Sequence, residues 1–345
     1  METLRTVAVL ILNYNGKIHL DTCLRSVLRE MEGGDQVYLV DNGSTDGSPE
    51  YVREHYPSVS LIRFKSNLGF ADAYNRAVKM VENEFVVFLN NDVEVDRGWV
   101  NELRSSIEKS PKGVAACGSK ILLYDHRALV NHAGGKLVPI GGGLDIGLMS
   151  FEKEKNSGPR PVGCVSGASM IVRRDVFLKL GGFDVDFFAY FEDVDFCWRA
   201  WLSGYRVLFI PSSRVYHKLS ATMGPFLTPQ RLFLGERNRL QTLLKNLEWR
   251  NVVTGLFITF PYNVVRIVGF LRSHRPQAVL AIVRGDLWVL SHLSAIIVKR
   301  SRIQARRRIN DALLMKEGLM VSLAEGFREF ARLTMLRTSD AATLD

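Results

Sequence analysis

Three polar segments of this sequence follow apolar runs, and their side chains offer the oxygen atoms that bind nucleotides and divalent cations. They are Asn13-Tyr14-Asn15, Asp41–Ser48 and Asn90-Asn91-Asp92. The third is the most informative, because the run Phe85–Leu89 is wholly apolar and predicts a buried strand. Open α/β sheets bind their ligands at the carboxyl ends of such strands. A carboxylate at that edge suits a divalent cation and a diphosphate.

A second group of acids lies near the middle of the chain, where Glu192, Asp193 and Asp195 follow the aromatic run Phe187–Phe191. Acidic residues in a first helical turn commonly complement the helix dipole, which accounts for one or two of them. The aromatic run before them has no such explanation. A carboxylate in apolar surroundings is a candidate general base. Asp195 and Arg199 have the spacing of a same-helix ion pair.

Alternating strand and helix patterns surround these segments in the first 110 residues. The predicted strands are Val7–Asn13, Val37–Asp41, Ser60–Phe64 and Phe85–Leu89, and the predicted helices are Ile18–Glu30, Ser48–His55, Ala71–Val81 and Gly98–Lys109. This is the βαβ pattern of a parallel sheet with helices on both faces, although it does not give the strand order. The polar loops then gather on one rim. Taken alone, Asp41–Ser48 is explained equally well as a turn and helix cap.

Composition sets the protein class. The chain has 345 residues, is 47% hydrophobic and carries a formal net charge of +9. This length suits one large α/β domain with an additional region. The cysteines are Cys23, Cys117, Cys164 and Cys197. Their wide separation gives no metal-ligand spacing and favours a reducing, cytosolic setting. The apolar start has no small-residue cleavage site, so we interpret it as a strand and not a signal peptide.

A glycine-rich stretch begins after about residue 115 and includes Gly134-Gly135 and Gly141-Gly142-Gly143. It fits either a mobile lid over a site or a solvated β-hairpin, and we favour the hairpin.

Seven segments, taken in order, carry a resemblance: Leu10–Gly16, Val40–Ser48, Asn67–Ala71, Leu89–Asp92, Gly181–Asp184, Phe191–Asp195 and His217. Together they resemble the family 2 glycosyltransferases, and most of all their bacterial rhamnosyltransferase-like branch. The match covers roughly residues 6–245, and several motifs in one order are far more specific than any alone. The resemblance implies an α/β fold of the GT-A type, with a mostly parallel central sheet, inverting chemistry and a divalent metal.

The resemblance also implies roles for individual residues. Donor binding falls on Asn13, Tyr14, Asn15, Asp41, Asn67, Gly69, Asp72, Asn90 and Asn91; metal binding falls on Asp92 and His217; catalysis falls on Asp193 as base, with Glu192 beside it. Within this scheme the segment from Asn13 to Asn15 and Asp41 hold the base and ribose, and Asn67, Gly69 and Asp72 continue the wall of that pocket.

One position departs from the family pattern. The family's aspartate-any-aspartate motif falls on Asn90-Asn91-Asp92, so only Asp92 brings a full negative charge to the metal. An amide oxygen still binds a hard cation, and we expect Mg²⁺ or Mn²⁺ to bind loosely without substrate. Imidazole at His217 keeps Mn²⁺ plausible. Without the resemblance, a lone histidine there is more often a structural hydrogen-bonding residue.

The last third of the chain is helical and basic. Arg237 and Arg239, on a helix predicted within Pro225–Asn246, either grip phosphate or lie on a solvated face. Val252–Leu271 and Gln277–Val298 are apolar but interrupted by charges, which favours helices lying in a membrane interface, or packed on the domain or a second subunit, over membrane crossing.

The basic cluster formed by Lys299–Arg302 and Arg306–Arg308 suits an anionic inner leaflet. No nucleic-acid module is recognisable in the sequence. We divide the chain into a GT-A catalytic domain (1–222), an acceptor-side helical segment (223–248) and an amphipathic, basic C-terminal helical region (249–345) that associates with a membrane or oligomerises.

The sequence thus predicts a metal-dependent inverting glycosyltransferase. It would move a sugar, with L-rhamnose suggested by the branch, from a nucleoside diphosphate donor to a glycan or polyprenyl-linked acceptor in cell-surface polysaccharide synthesis. We expect it in the cytoplasm, peripherally bound to the inner face of a bacterial membrane, with a homo-oligomer left open. The alternative is a catalytically inactive sugar-nucleotide-binding or scaffold protein, prompted by Asn90. A nucleotidyltransferase is disfavoured because the N-terminal region lacks a glycine-rich phosphate loop followed by a basic residue.

Overall fold

The computed structural model describes residues 6–111, 113–152, 158–218, 228–322, 325–326 and 328. The strands are β1 (Val7–Asn13), β2 (Gln36–Asp41), β3 (Ser60–Arg63), β4 (Phe85–Asn90), β5 (Val93–Val95), β6 (Val114–Leu123), β7 (Val130–His132), β8 (Gly135–Val138), β9 (Gly142–Asp145), β10 (Arg160–Pro161), β11 (Ser169–Arg173) and β12 (Arg206–His217). The helices are α1 (Lys17–Leu28), α2 (Ser48–His55), α3 (Gly69–Lys79), α4 (Trp99–Lys109), α5 (Arg174–Lys179), α6 (Glu192–Leu202), α7 (Pro229–Asn246), α8 (Trp249–Arg272), α9 (Pro276–Ser291), α10 (Leu293–Ala305) and α11 (Asp311–Lys316).

The large sheet has the strand order β10-β12-β6-β11-β4-β1-β2-β3. Strands β3, β2, β1 and β4 run parallel to one another, and β12 is parallel to β6. Strand β11 lies antiparallel between β4 and β6, which makes the sheet mixed but mostly parallel. The predicted βαβ order of the first four strands is confirmed, and the sheet adds the strand order that the sequence did not give.

Both faces of this sheet are buried, which explains the unbroken apolar runs. In β1, Leu10 packs on the same side as Tyr74 of α3, while Ile11 packs on the opposite side with Leu24 of α1 and Trp99 of α4. Since helices cover both faces of the sheet, a ligand can approach the parallel strands at their carboxyl ends, where the polar loops lie.

Two local predictions are resolved by the strands. The glycine-rich stretch forms the antiparallel hairpin β8–β9, as we favoured over a lid. The expectation that this hairpin is solvated is wrong, because Leu137 and Val138 are buried against the rest of the protein. His217 follows the apolar run Val207–Ile210 in the sequence. It is the last residue of the longer strand β12, where it pairs with Val93 of β5.

The C-terminal helices α8, α9 and α10 pack against each other and against α7, and α7 in turn packs against α6. α8 is long and apolar enough to cross a membrane, and α9 with α10 passes the same test only as one bent pair. The second apolar segment, predicted as continuous, is in fact broken at His292 with a bend of 68°. The proposed boundary between residues 222 and 223 lies outside the described residues.

Several side chains of the basic cluster form ion pairs or hydrogen bonds within the protein, which corrects the expectation that the whole cluster faces a membrane. Lys299 forms ion pairs with Asp184 and Asp186. The buried guanidinium of Arg300 donates to the carbonyl groups of residues 244 and 247, and Arg307 pairs with Asp311 at 3.0 Å. These three side chains are therefore not available to lipid headgroups.

Asp184 joins this C-terminal region to the sheet domain. Its buried carboxylate forms ion pairs with Lys245 of α7 and Lys299 of α10. Burial acts to raise the pKa of Asp184, but the two ammonium groups outweigh burial, and the pKa lies well below its usual value. The ionised carboxylate therefore holds two helices that are distant from it in sequence.

We predict that Asp184→Asn lowers the free energy of unfolding by about 3 kcal/mol. The buried ammonium group of Lys245 and the partly buried one of Lys299 each lose one of two carboxylate partners. Urea denaturation measures the loss. A folded-state pKa below the unfolded value stabilises the fold above pH of about 4, and this stabilisation is lost as the pH falls through the folded pKa. The gap between wild type and variant should therefore narrow in acid. Asp175→Asn, at an exposed position, is the control, and equal losses in the two variants would contradict the assignment.

Candidate functional site

The carboxyl ends of β1, β2 and β4 meet, as the predicted rim requires. Asn13 lies opposite Asp41 in the sheet register, and Leu12 lies opposite Asn90. Side chains then link the loops: Asn91 Nδ2 donates to Asn13 Oδ1 at 2.6 Å, and Asn13 Nδ2 donates to Ser44 Oγ at 3.1 Å. These amides hold the rim in shape before any ligand binds.

A cavity of about 660 Å³ opens at this rim. Of the residues predicted to contact substrate or metal, it is lined by Tyr14, Asn67, Gly69, Asn90, Asn91, Asp92, Glu192, Asp193 and His217. Residues from the sheet edge and from α6, which are about a hundred positions apart in the chain, therefore share one space.

The other predicted donor residues lie behind or beside the cavity. Asn13 and Asn15 support the loops, the latter by accepting a hydrogen bond from Thr45 N–H at 2.8 Å. Asp41 is fully buried, and neither of its oxygens has a hydrogen-bond partner in the described part of the chain. Asp72 does not reach the predicted wall, because it lies outside the cavity lining and pairs with Arg76 one turn along α3.

Asn42 is a site residue that the sequence did not single out. Its amide nitrogen donates to Asn67 Oδ1 at 2.9 Å and to the Gly69 carbonyl at 3.1 Å, and its oxygen accepts from Leu68 N–H at 2.9 Å. It thereby joins the second rim loop to the start of α3. Asn42 lies in the polar segment Asp41–Ser48, but an asparagine there is also typical of a turn, so its residue type did not indicate a role in the site.

Asp92 and His217 form the candidate metal site. Asp92 Oδ1 lies 3.1 Å from His217 Nε2 and, within the described ranges, has no hydrogen-bond partner. Burial acts to raise the pKa of Asp92, but the electrostatic interaction with the imidazole of His217 outweighs burial and lowers the pKa. A buried carboxylate oxygen beside an imidazole fits a divalent cation.

The described residues supply few ligands to the candidate metal site. No cluster of three or more His, Cys, Asp or Glu ligands is found among the described residues. The remaining coordination positions would fall to substrate oxygens and water, consistent with the loose binding expected without substrate.

Asp193 is oriented by the backbone. Its Oδ2 accepts from Gly167 N–H at 2.8 Å and its Oδ1 from Val194 N–H at 2.7 Å. Burial raises the pKa of Asp193, and burial together with the charge of Asp193 raises the pKa of Glu192 well above its usual value. Asp195 plays a different role: it pairs with Arg199 at 2.7 Å, as its spacing predicted.

The loop that leads into α6 has an unusual backbone. We call residues Asp184–Phe191 the acidic-helix loop. Phe188, Tyr190 and Phe191 have φ angles of 61°, 71° and 70°, which bulky residues rarely adopt. The loop is held from α7 and α3: Asn238 Nδ2 donates to the carbonyls of residues 187, 189 and 190, Arg237 to those of 186 and 187, and Phe70 N–H donates to the carbonyl of 188.

The two arginines of α7 are therefore not on a solvated face. Arg237 is buried against the acidic-helix loop and lies outside the cavity lining. Arg239 lines the cavity, where it pairs with Glu236 and donates to the Ile140 carbonyl at 2.7 Å. Only Arg239 keeps the predicted option of contacting a phosphate.

Comparison with known proteins extends these observations. The profile described as "Glycosyl transferase family 2" matches residues 8–181. A Mycobacterium tuberculosis protein named N-acetylglucosaminyl-diphospho-decaprenol L-rhamnosyltransferase is 30% identical over 247 residues, which cover 65% of this chain and 78% of the relative.

Solved structures share the fold. A structure of GalNAc-T7 with UDP, GalNAc and Mn²⁺ superposes with a TM-score of 0.58 at 18% identity, covering 71% of this chain and 48% of that one. Staphylococcus aureus TarS 1–349 gives a TM-score of 0.53 at 18% identity, covering 87% and 90%. At this identity they show the GT-A fold alone.

We predict that Gly69→Ala disrupts the cavity wall. A Cβ at position 69 would lie 2.5 Å from the carbonyl oxygen of Phe188, and the φ of +79° is itself unfavourable for alanine. Gly98→Ala is the matched control, because its φ is +75° but its added Cβ meets nothing within 4 Å. The control should lose about 1–2 kcal/mol of unfolding free energy from backbone strain alone, and Gly69→Ala clearly more. Equal losses in urea denaturation would contradict the close contact.

Proposed function

Because the chain belongs to family 2 of the glycosyl transferases, we propose that it moves a sugar from a nucleoside diphosphate donor to a polyprenyl-linked glycan, with inversion at the anomeric carbon. L-rhamnose is the first sugar to test, and a lipid-diphosphate acceptor the first acceptor, since both appear in the name of the Mycobacterium tuberculosis relative. The product would enter cell-surface polysaccharide synthesis.

One observation carries this proposal: a single cavity is lined by both the Asp92–His217 pair and the Glu192–Asp193 pair. Inverting transfer in one displacement requires a base on the acceptor side and charge compensation on the leaving-group side. The start of α6 would supply the base, and the sheet rim would supply the charge compensation.

The protein's own groups would share the work as follows. Tyr14 and Asn67, which line the cavity, would contact the nucleoside, and Asn13 and Asn15 hold the rim loops in place behind them. Asp193, oriented by its two backbone N–H donors, takes the proton from the acceptor hydroxyl as it attacks the anomeric carbon. A divalent ion at Asp92 and His217 would offset charge on the departing diphosphate.

The cavity wall opposite these acids supports an anionic acceptor. Arg239 of α7 and Arg266 of α8 line it, and the carboxylate of Glu236 pairs with both. Arg231 also lines the cavity. Two guanidinium groups thus share the single carboxylate of Glu236, and such an arrangement suits the diphosphate of a lipid-linked acceptor.

The C-terminal helices support membrane binding because their polarity is inverted. α8 buries Gly255, Thr259 and Asn263 against the protein. Its opposite face exposes a stripe of large apolar side chains: Trp249, Val253, Leu256, Phe257, Phe260, Val264, Val265, Val268 and Leu271. α9 exposes Leu280, Val283, Leu287 and Leu290 in the same way. Such a face suits helices that lie in the interface of a bilayer.

We predict that Asp193→Asn lowers transfer at least about a hundredfold, because an amide keeps the shape but cannot take the proton. The assay follows nucleoside diphosphate release from a panel of sugar donors that includes L-rhamnose, with Mn²⁺, Mg²⁺ or chelator and a lipid-diphosphate acceptor. Donor binding, measured by calorimetry, should be nearly unchanged. Burial raises the pKa of Asp193. As the pH is lowered, wild-type kcat/KM should therefore begin to fall at a higher pH than it would with an ordinary aspartate as the base.

The same assay separates the alternatives. Transfer by Asp193→Asn at a tenth of the wild-type rate would reject Asp193 as the base. Donor binding by the wild type without any release would favour the inactive sugar-nucleotide-binding or scaffold protein that Asn90 suggested. Release that is unaffected by chelator would reject the metal.

We predict that the double variant Phe257→Ser, Phe260→Ser weakens binding to vesicles of phosphatidylglycerol and phosphatidylethanolamine at least about tenfold. These side chains are 75% and 74% exposed, and burying one phenylalanine in an apolar phase contributes about 1.5–3 kcal/mol. Phe151→Ser, at a site 69% exposed but away from α8 and α9, is the control. Unchanged vesicle co-sedimentation of the double variant would contradict the membrane role of this face. A shift of the variant from dimer to monomer would assign the face to a second subunit.

A further inference from the structure

His132 and Asp145 form a pair at the cavity that the proposed mechanism does not use. His132 Nδ1 lies 2.8 Å from Asp145 Oδ1. His132 is 5% exposed, and both residues line the cavity. His132 ends β7 and Asp145 ends β9, so the pair joins the hairpin to the edge of the large sheet.

The pair lies beside the proposed base. A Cβ built on Gly143 of β9 would be 3.0 Å from Val194 Cγ2, so the hairpin packs directly against the residue that follows Asp193. Burial raises the pKa of Asp193, and the charge of Asp145 raises it further, as expected for a carboxylate close to Asp193. The imidazole therefore lies on the side of the cavity where the acceptor hydroxyl must approach.

The hydrogen-bonding state of the imidazole follows from its partner. A carboxylate only accepts, so Nδ1 carries the proton, and in the neutral ring Nε2 is then an acceptor. Nε2 is buried and has no hydrogen-bond partner in the part of the chain that the structure describes. An unsatisfied buried acceptor is costly, and a hydroxyl donor entering the cavity would satisfy it.

We propose that His132, oriented by Asp145, binds a hydroxyl group of the acceptor sugar next to the hydroxyl that Asp193 deprotonates. His132 is then a positioning residue that sets which hydroxyl faces the donor. This inference rests on the proposed function, because it needs a sugar acceptor in this cavity. It goes further by naming the class of ligand group and the atom that recognises it.

Two other roles fit less well. A metal-binding role is disfavoured because His132 Nδ1 and Asp145 Oδ1 bond to each other at 2.8 Å, which leaves one ring nitrogen, Nε2, to bind an ion. A purely structural role explains the contact between Nδ1 and Asp145 but leaves the buried Nε2 without a function.

Two substitutions at the same position separate these roles. His132→Asn keeps an amide near the position of Nδ1, facing Asp145, and removes the atom at Nε2. His132→Gln places an amide oxygen near the position of Nε2 instead. With the full chain, we expect His132→Asn to lower kcat/KM for N-acetylglucosaminyl-diphospho-decaprenol roughly tenfold, the loss typical of one buried hydrogen bond. His132→Gln should recover most of it. Donor affinity and Tm should match those of the exposed control His126→Asn.

Acceptor analogues that each lack one hydroxyl complete the test. One analogue should be about tenfold worse for wild type but no worse than the parent acceptor for His132→Asn, because the same hydrogen bond is already missing. If every analogue keeps its full penalty in the variant, or if His132→Asn transfers within twofold of wild type, the inference is wrong. If Asn and Gln lose activity equally and Tm falls, the role is structural. If the wild type transfers no sugar to any acceptor, the proposed function fails and this inference with it.

Discussion

The side-chain amide of Asn238 holds the backbone on which the proposed active site depends. Three carbonyl groups of the acidic-helix loop, those of residues 187, 189 and 190, converge on its nitrogen. Arg237, in the same turn of α7, also contacts the carbonyl of residue 187 and adds that of residue 186. The loop contains three aromatic residues in the left-handed region, a conformation that persists only when its surroundings enforce it. Because α6 starts where this loop ends, α7 fixes the position of Asp193. The helical segment after the sheet domain is thus part of the catalytic framework and not an appendage to it.

The division between what the sequence predicted and what it did not follows the range of the interactions. The strands, the rim and the candidate metal pair come from local patterns: apolar runs that stop at polar residues, in the motif order of a known family. Asn238 and Lys299 gave no such signal, since each acts on a loop about 50 or 115 residues away. In sequence an arginine that holds a buried carbonyl looks like one on a solvated face. For the same reason the basic cluster suggested a membrane surface, whereas Arg300 is buried among the helices.

The inverted polarity of α8 would connect the cavity to a membrane under the proposed function. Burial of Thr259 and Asn263 in place of the larger apolar side chains is unfavourable in water, because it leaves an apolar stripe exposed. The arrangement is favourable when that stripe enters a bilayer. The same helix lines the cavity with Tyr262 and Arg266. A lipid tail against one face of α8 and its diphosphate against the other are then separated by about 10 Å, the diameter of one helix.

The choice between two adjacent carboxylates follows from their unequal surroundings. Two neighbouring acids in a poorly hydrated cavity do not both ionise readily, so the proton goes to the one that is less well stabilised as an anion. Asp193 accepts hydrogen bonds from two backbone N–H groups, whereas Glu192 Oε2 has no partner among the residues described. The pKa of Glu192 is accordingly raised well above its usual value, and part of that rise comes from the charge of Asp193. A proton bound by this pair would therefore favour Glu192, which suits the proposed role of Asp193 as the base.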